Sequence, residues 1–386
     1  MEKKKIAIFA TNASQYHVPI YQALARDSSI ELSVFYSTDL GIKGFYDKQS
    51  NSYVEWDIDL SSGYNFMVFK NLASRENRGF FRAINFGVIP WLLRNKYDLV
   101  LLQGYNTLTL WLVYLTALLT QPKLTWRGEA IIYKNKNKFL FYLKKIILFF
   151  YFKGFHTVFY SCSGNKDYLR QFVFQDQKLK LFPCAVDNNY FYEVKEKYQD
   201  SRQSFRESYS ISEDEIVILF AARLIDRKRP HDLLMAVKQI NHPKIVLLFC
   251  GDGPEKESLK KASTGLGNRV IFTGFLGQEE LAKHYLIADI YTILSDYDNS
   301  PKTLNEALNF ALPTIATNMI GNAADLIHSG ENGFIAEARN VPDIANKLEL
   351  IIKNLDHFKK SSNFISNKLL QKWSINEDIQ ALKKIL

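Results

Sequence analysis

The chain is poor in the features that mark several protein classes. It has three cysteines in 386 residues, Cys162, Cys184 and Cys250, far apart and each in apolar surroundings. That scatter speaks against a disulfide framework or a zinc motif and fits buried reduced thiols in a cytosolic compartment. The longest uninterrupted apolar run, IILFFYF at 146–152, falls well short of the roughly 20 residues a membrane span needs. The opening MEKKKIAIFAT is a charged tip leading into a strand, with no signal-peptide cleavage pattern. Glycine (18) and proline (10) are sparse and no low-complexity tract or short-period repeat occurs, so the chain is neither fibrous nor disordered. No G-x-G-x-x-G is present, which argues against a nicotinamide-dinucleotide enzyme. Nor is there a helix-turn-helix, zinc-finger or RNP pattern, so nucleic acid is not an expected partner in spite of a formal charge of +9. That charge suits anionic membranes and phosphorylated substrates equally well.

What is present is a repeated alternation. At 386 residues and 47% hydrophobic, the chain fits two domains of roughly 150–200 residues, each with a full core. In the first half KIAIFAT (5–11), IELSVFYS (30–37), DLVLLQG (98–104), KLTWRGE (123–129) and TVFYSCS (157–163) read as strands, with helix candidates at 18–27 and 107–119. Such continuous apolar runs predict a parallel sheet buried on both faces. The polar stretch 187–214 is almost without aliphatic residues and reads as a linker. A second alternation follows: strands at 215–223, 244–253, 269–275, 289–295, 313–317 and 332–338, and helices at 230–240, 254–263, 278–287 and 302–311. The expected fold class is α/β, with two doubly wound Rossmann-like domains facing across a cleft. In such sheets ligands bind beyond the carboxyl ends of the strands.

The stretch SDYDNSPKTLNEAL (295–308) follows the strand that ends near Ser295. Ser300 is placed as N-cap and Pro301 as first helical residue, where its missing N–H costs nothing. The amides of Lys302, Thr303 and Leu304 then favour an anion, and Glu306, one turn in, is able to accept two hydrogen bonds from a vicinal diol. An ordinary capped helix with a solvated acid is the competing account of this segment alone. FAARLIDRKRPHDLL (220–234) carries Arg223 and Lys228 on one strand-end loop, a pair suited to a diphosphate. LLFCGDGPEKESL (247–259) adds a Gly-x-Gly turn beginning at Gly251.

Together, AARLIDRK, CGDGPEKESL, VIFTGF and DNSPKTLNEALNFALPTIAT over about 215–335 resemble the carboxyl-terminal half of a retaining GT-B glycosyltransferase of the family 4 (group 1) type. The resemblance implies an acceptor-binding domain at 1–186, with a return of the C-terminal helix (about 370–386), and a donor-binding domain at 187–369. It implies that Arg223 and Lys228 bind the donor diphosphate and that Asp298 faces the donor sugar. Glu306 would hold the ribose, the backbone from Ser300 and Pro301 through Lys302, Thr303 and Leu304 the sugar and phosphate oxygens, and Phe275 and Leu276 the base. Gly251 joins this donor side. The implied donor is a nucleoside-diphosphate sugar, with no cofactor and no metal. Asp298 stands where the family usually has Glu, Ala222 and Ala311 where it has Gly, and Arg127 and Glu129 where a His is sought.

Acceptor-side candidates lie at strand ends of the first half. They are Asn12 and His17 in TNASQYH, and Arg127 and Glu129 in WRGE, where a tight glycine turn is expected. A structural histidine and a plain Arg–Glu ion pair are the competing accounts. KNKNKFLFYLKKIILFFYFK (134–153) has six lysines and no acid. On a helix Lys134, Lys138 and Lys145 share one face, a composition suited to an anionic bilayer surface and a glycan or lipid-linked acceptor; a core helix with a lysine-rich solvent side is the alternative. The expected location is cytoplasmic, peripheral on the inner face of the cytoplasmic membrane. The leading function is sugar transfer in bacterial cell-surface polysaccharide synthesis. A GT-B nucleotide-sugar epimerase and a non-catalytic sugar-nucleotide-binding protein stand as alternatives.

Overall fold

A computed structural model of the chain describes residues 2–42, 44–47, 52–54, 56, 58–74, 79–132, 138–267 and 269–386. These group into two compact units. The first comprises Met1–Phe45, Ile58–Cys184 and Ile375–Leu386, and the second Tyr46–Asp57 and Ala185–Ser374, each as far as described.

Each unit is built on a parallel sheet. In the first, seven strands lie in the order Phe66–Val68, Ile30–Tyr36, Lys4–Ala10, Leu99–Gln103, Lys123–Gly128, Thr157–Tyr160, Leu179–Leu181. Every neighbouring pair is parallel. In the second, six strands lie in the order Arg269–Gly274, Ile245–Cys250, Ile216–Ala221, Ile290–Ile293, Thr314–Thr317, Gly333–Ala336, again all parallel. In both, the chain starts mid-sheet, winds to one edge, then returns and winds to the other. This is the doubly wound, Rossmann-like α/β arrangement. The central strands are continuous apolar runs because both faces are covered. Ile245–Cys250 is buried along its whole length, and Phe9, Val100 and Trp126 lie in the core of the first unit as Phe220, Leu247 and Phe249 do in the second.

The stretch read as a linker is a correction. It folds into the helices Asn188–Tyr198 and Arg202–Ser208. Asp187 caps the former by accepting from the amides of Asn189 and Tyr190, and Phe191 and Val194 are its buried face. Arg206, 1% exposed, replaces the missing aliphatic anchor of the latter: it bonds Asp289 at 3.2 Å and the carbonyl of Ile287 at 3.2 Å. A charged residue with a buried partner therefore does what a leucine would do elsewhere.

The closing helix Ile375–Lys383 belongs to the first unit. Lys383 donates to Asp27 at 2.6 Å and Lys123 to the carbonyl of Ile385 at 2.7 Å, while Leu382 is fully buried. The Lys383 ammonium and the Ser29 hydroxyl and amide hold the Asp27 carboxyl down to about 2.

The helix Lys302–Asn309 ends in a turn with a specific demand. Ala311 adopts φ +54°, its amide bonds the carbonyl of Leu308 at 3.0 Å, and the next amide, Leu312, reaches the carbonyl of Ala307 at 3.3 Å. That pair of bonds is the Schellman pattern, whose left-handed residue is usually glycine. Alanine there bears the left-handed strain of a β-carbon. Ala311→Gly is expected to stabilise the chain by about 0.5–1 kcal/mol, the relief of strain less the entropy glycine loses. A urea midpoint that stays or falls would show that Ala311 is unstrained.

Candidate functional site

The strand order of the second unit reverses between Ile216–Ala221 and Ile290–Ile293. The loops leaving these adjacent strands carry Arg223 and Lys228 on one side and Asp298 on the other. The structure brings them together: the Lys228 ammonium bonds the Asp298 carboxylate, both side chains largely buried. Two further bonds tie the same loops. The Arg227 guanidinium donates to the carbonyl of Tyr297, and the amide of Asp296 donates to the carbonyl of Arg227 at 2.9 Å. Asp296 is in turn gripped by Arg339 at 2.8 and 2.5 Å. Asp298 is held from the chain beyond as well, its amide bonding the carbonyl of Met319 and its carbonyl the amide of Gly321.

Burial pushes the Lys228 ammonium below the ordinary lysine range, and the nearby charges of Arg227 and Arg223 act in the same direction, while Asp298 opposes them. Lys228 thus lies near like charges, with Asp298 as the carboxylate that opposes them. Neither Arg227 nor Asp296 stands out in the sequence; the signal is the basic run RKR (227–229) followed, three strands later, by two alternating acids.

The Gly-x-Gly turn shapes this loop through its backbone. Gly251 has φ +145°, and a β-carbon there would lie 2.0 Å from the carbonyl oxygen of Ala222; at Gly253, φ +155°, it would lie 2.3 Å from that of Leu224. The two loops are laced by the amide of Leu224 on the carbonyl of Asp252 and the amide of Glu255 on the carbonyl of Leu224. Gly251 therefore positions the Arg223 loop through its own missing side chain.

At the second loop the helix starts at Lys302, and Pro301, with ψ 128°, is its N-cap residue without a side-chain capping bond. The assignment of Ser300 as N-cap and Pro301 as first helical residue is therefore corrected: an extended ψ at Pro301 shifts the start by one residue, and buried Ser300 lies outside the helix. The amides of Lys302, Thr303 and Leu304 are those of the first turn, where the helix dipole favours negative charge. Glu306 is 2% exposed, and the Tyr285 hydroxyl donates to it at 3.0 Å. Tyr285 was not foreseen; it stacks on Phe310 at 5.5 Å and fixes that carboxylate. Phe275 is exposed and Leu276 half-buried, just past the strand Arg269–Gly274.

In the first unit the structure gathers three of the four acceptor-side candidates. Arg127, 3% exposed, sits 3.0 Å from the His17 ring nitrogen and 3.2 Å from the Glu129 carboxylate. His17 and Glu129 are 3.8 Å apart. Two residues unmarked in the sequence join them. The Cys184 thiol donates to Glu129 at 3.0 Å, and Asp378, fully buried, lies close enough for its charge to act on Arg127. Burial alone would lower the Arg127 pKa; Glu129, Cys184 and Asp378 outweigh it and raise it. Asn12 stands apart, exposed, donating to the carbonyl of Ala13. The tight glycine turn expected in WRGE is instead a strand end: Lys123–Gly128 runs through it, and Gly128 is required because a β-carbon would meet the Trp126 ring at 2.4 Å. Among the described residues no group of three or more His, Cys, Asp or Glu is disposed to hold a metal ion.

The Lys228–Asp298 bond yields a pH signature. Asp298→Asn leaves the buried Lys228 without its carboxylate and should cost about 2–4 kcal/mol at neutral pH. Below the Lys228 pKa of the variant, lower still than that of the unsubstituted chain, the ammonium is charged in folded and unfolded chains alike, so the penalty is full. It fades as pH rises from the variant's value to the unsubstituted chain's, because over that range only the folded variant sheds its proton. Urea unfolding of both proteins across alkaline pH reads this, and a pH-independent difference would rule the coupling out.

Residues 201–370 match the family described as Glycosyl transferases group 1. Sulfoquinovosyl transferase SQD2 of Arabidopsis thaliana is 24% identical over 277 residues, 70% of this chain and 52% of that protein. Alpha-monoglucosyldiacylglycerol synthase of Acholeplasma laidlawii is 26% identical over 196 residues, 49% of this chain and 46% of that protein. The chain thus spans about half the length of these relatives. The crystal structure of Anabaena Alr3699/HepE in complex with UDP superposes with a TM-score of 0.73 at 16% identity, covering 98% of each chain. That likeness is one of fold, the GT-B class of two Rossmann-like domains. With the Lys228–Asp298 constellation lying inside the matched segment, residues 201–370 form a group 1 glycosyl transferase domain.

Proposed function

We propose that this chain transfers a sugar, with retention, from a nucleoside-diphosphate sugar to a hydroxyl of a glycan or lipid-linked acceptor, in the building of a bacterial cell-surface polysaccharide. The observation that carries the reading is the buried Lys228–Asp298 pair with Arg223 and Arg227 about it, at the strand-order reversal of the family-matched unit. A dianionic diphosphate would displace the carboxylate as partner of Lys228, and Arg223 would take a second oxygen. As the bond from sugar C1 to the phosphate oxygen breaks, these cations and the start of the helix Lys302–Asn309 stabilise the departing charge without a metal ion. The acceptor oxygen bonds C1 on the same face, and the departing phosphate oxygen takes its proton. Asp298 would orient the donor sugar and Glu306 the ribose. His17, Arg127 and Glu129 would meet the acceptor.

The reading also places the chain on an anionic membrane. No helix among the described residues is long and apolar enough to cross one. The helix Lys138–Lys153, however, has no acid and exposes Phe139 (74%), Tyr142, Ile146 and Phe150 (63%). Exposed aromatics interleaved with lysines suit the headgroup boundary. Lys138 is exposed and Lys145 half-buried; Lys134, the third lysine expected on that face, lies outside the described residues.

UDP-glucose and other nucleotide sugars should raise the melting temperature, since a ligand of the folded form stabilises it by mass action. Lys228→Ala should lower turnover at least a hundredfold, about 2.7 kcal/mol of transition-state stabilisation, with folding retained. Full activity in this variant, or no shift with any nucleotide sugar, would overturn the reading; inversion of a sugar centre in place of transfer would mark an epimerase.

Replacing Lys138 and Lys145 with Glu should release the protein from vesicles containing anionic lipid by about 1 kcal/mol per removed cation or more. Sedimentation unchanged by the double substitution would put the contact elsewhere.

A further inference from the structure

The first unit contains a cavity of about 500 Å³ that no part of the transfer chemistry uses. It lies between the turn Gly79–Arg82, the start of the helix Leu108–Thr120 and the helix Lys138–Lys153. Its volume is in the range of small-molecule sites. Trp111, Leu143 and Ile147 give it apolar walls. The polar atoms of its aromatic lining are already bonded within the wall: the Trp111 indole donates to the carbonyl of Tyr105 at 2.9 Å, and the Tyr105 and Tyr168 hydroxyls share a bond of 2.6 Å.

Two cations meet this apolar groove, Arg82 and Lys144. Among the described residues neither has a carboxylate partner. The Arg82 Nε is buried without a hydrogen-bond partner, and burial pushes its guanidinium pKa down. Lys144 is held over the rings of Tyr105 and Tyr168, at 5.8 and 5.5 Å. A half-buried guanidinium without a counter-charge is costly unless an anion arrives to complete it. The open groove therefore has the two halves of an amphiphile's complement: apolar walls and, among the described residues, a half-buried guanidinium and an exposed ammonium without a carboxylate. The exposed apolar face of the same helix, Phe139, Tyr142, Ile146 and Phe150, supplies the surface across which a lipid would come.

We propose that this cavity binds a single-chain lipid phosphate, its hydrocarbon against Trp111, Leu143 and Ile147 and its phosphate against Arg82 and Lys144. Binding itself is independent of the nucleotide-sugar site; the part it would play, anchoring a lipid-linked acceptor, rests on the transferase reading.

The test is calorimetric titration of the full chain with dodecyl phosphate below its micellar concentration, with Trp111 fluorescence followed in parallel. Dodecyl phosphate should bind at least tenfold more tightly than dodecanol, and inorganic phosphate at equal concentration should not displace it. Arg82→Gln should remove most of that tenfold preference and Ile147→Asp should abolish binding, while Phe139→Ser, on the outer face of the helix, should leave affinity within twofold. Trp111→Phe should retain the binding heat and lose the fluorescence change. Equal affinity for dodecanol would overturn anion recognition, and displacement by inorganic phosphate would reduce the site to an anion site without a chain. Equal loss in Phe139→Ser and Ile147→Asp would mean adsorption to the surface. Each result rejects the proposal. The melting shift with nucleotide sugar, measured on Arg82→Gln, separates the two readings: it should persist in that variant, and dodecyl phosphate binding in a chain that ignores every nucleotide sugar would sink the transferase reading alone.

Discussion

Where the strand order of a parallel sheet reverses, the two neighbouring strands send their crossovers to opposite faces, and their exit loops are left side by side with nothing between them. In the second unit that constraint decides the chemistry. It sets the loop after Ile216–Ala221 against the loop after Ile290–Ile293, and the contact closes through Lys228 and Asp298. The bonds of Arg227 to Tyr297, of Asp296 to Arg227 and of Arg339 to Asp296 surround that pair. A lone lysine as buried as Lys228 would lose its proton readily; its carboxylate keeps a charged group poised where a strand reversal leaves room for a ligand.

The same loop is set from behind by two residues without side chains. Carbonyls of Ala222 and Leu224 press against Gly251 and Gly253 closely enough that no β-carbon fits. The glycine requirement is therefore one of close backbone approach as much as of dihedral freedom. It transmits the position of the neighbouring strand Ile245–Cys250 to Arg223, one residue from the contact. Loops shaped by rigid strands and glycine contacts lose little freedom when a ligand arrives, which keeps affinity from being spent on ordering.

Much of this was legible in the sequence because it is local. Apolar runs gave the central strands, since burial on both faces leaves no polar alternation to read, and the helices Pro230–Ile240 and Gln278–Ile287 fell where their periodicity placed them. Arg223 and Lys228 stand out by residue type and spacing, and Asp298 through the family resemblance. What escaped depends on partners distant in sequence. The helices Asn188–Tyr198 and Arg202–Ser208 looked like a linker because Arg206 is anchored by Asp289, 83 positions away, which composition cannot show. Ser300 looked like a cap because Ser before Pro usually is one; the extended backbone at Pro301 is set by the surrounding loop. Cys184 and Asp378 join Arg127 from 57 positions away and from the closing helix, respectively.

The two units repeat one topology but differ in the charges gathered at their strand ends. At the strand ends of the first unit, the Arg127 guanidinium is buried between Glu129 and the fully buried Asp378, with His17 and Cys184 completing the set. One guanidinium there answers two carboxylates, whose charges outweigh the effect of its burial. In the second, Lys228 bonds Asp298, Arg227 donates to the carbonyl of Tyr297, and Asp296 is engaged by Arg339 and Arg229. In the first cluster one guanidinium is offset by carboxylates, while in the second the like charges of Arg227 and Arg223 act on Lys228 and Asp298 opposes them.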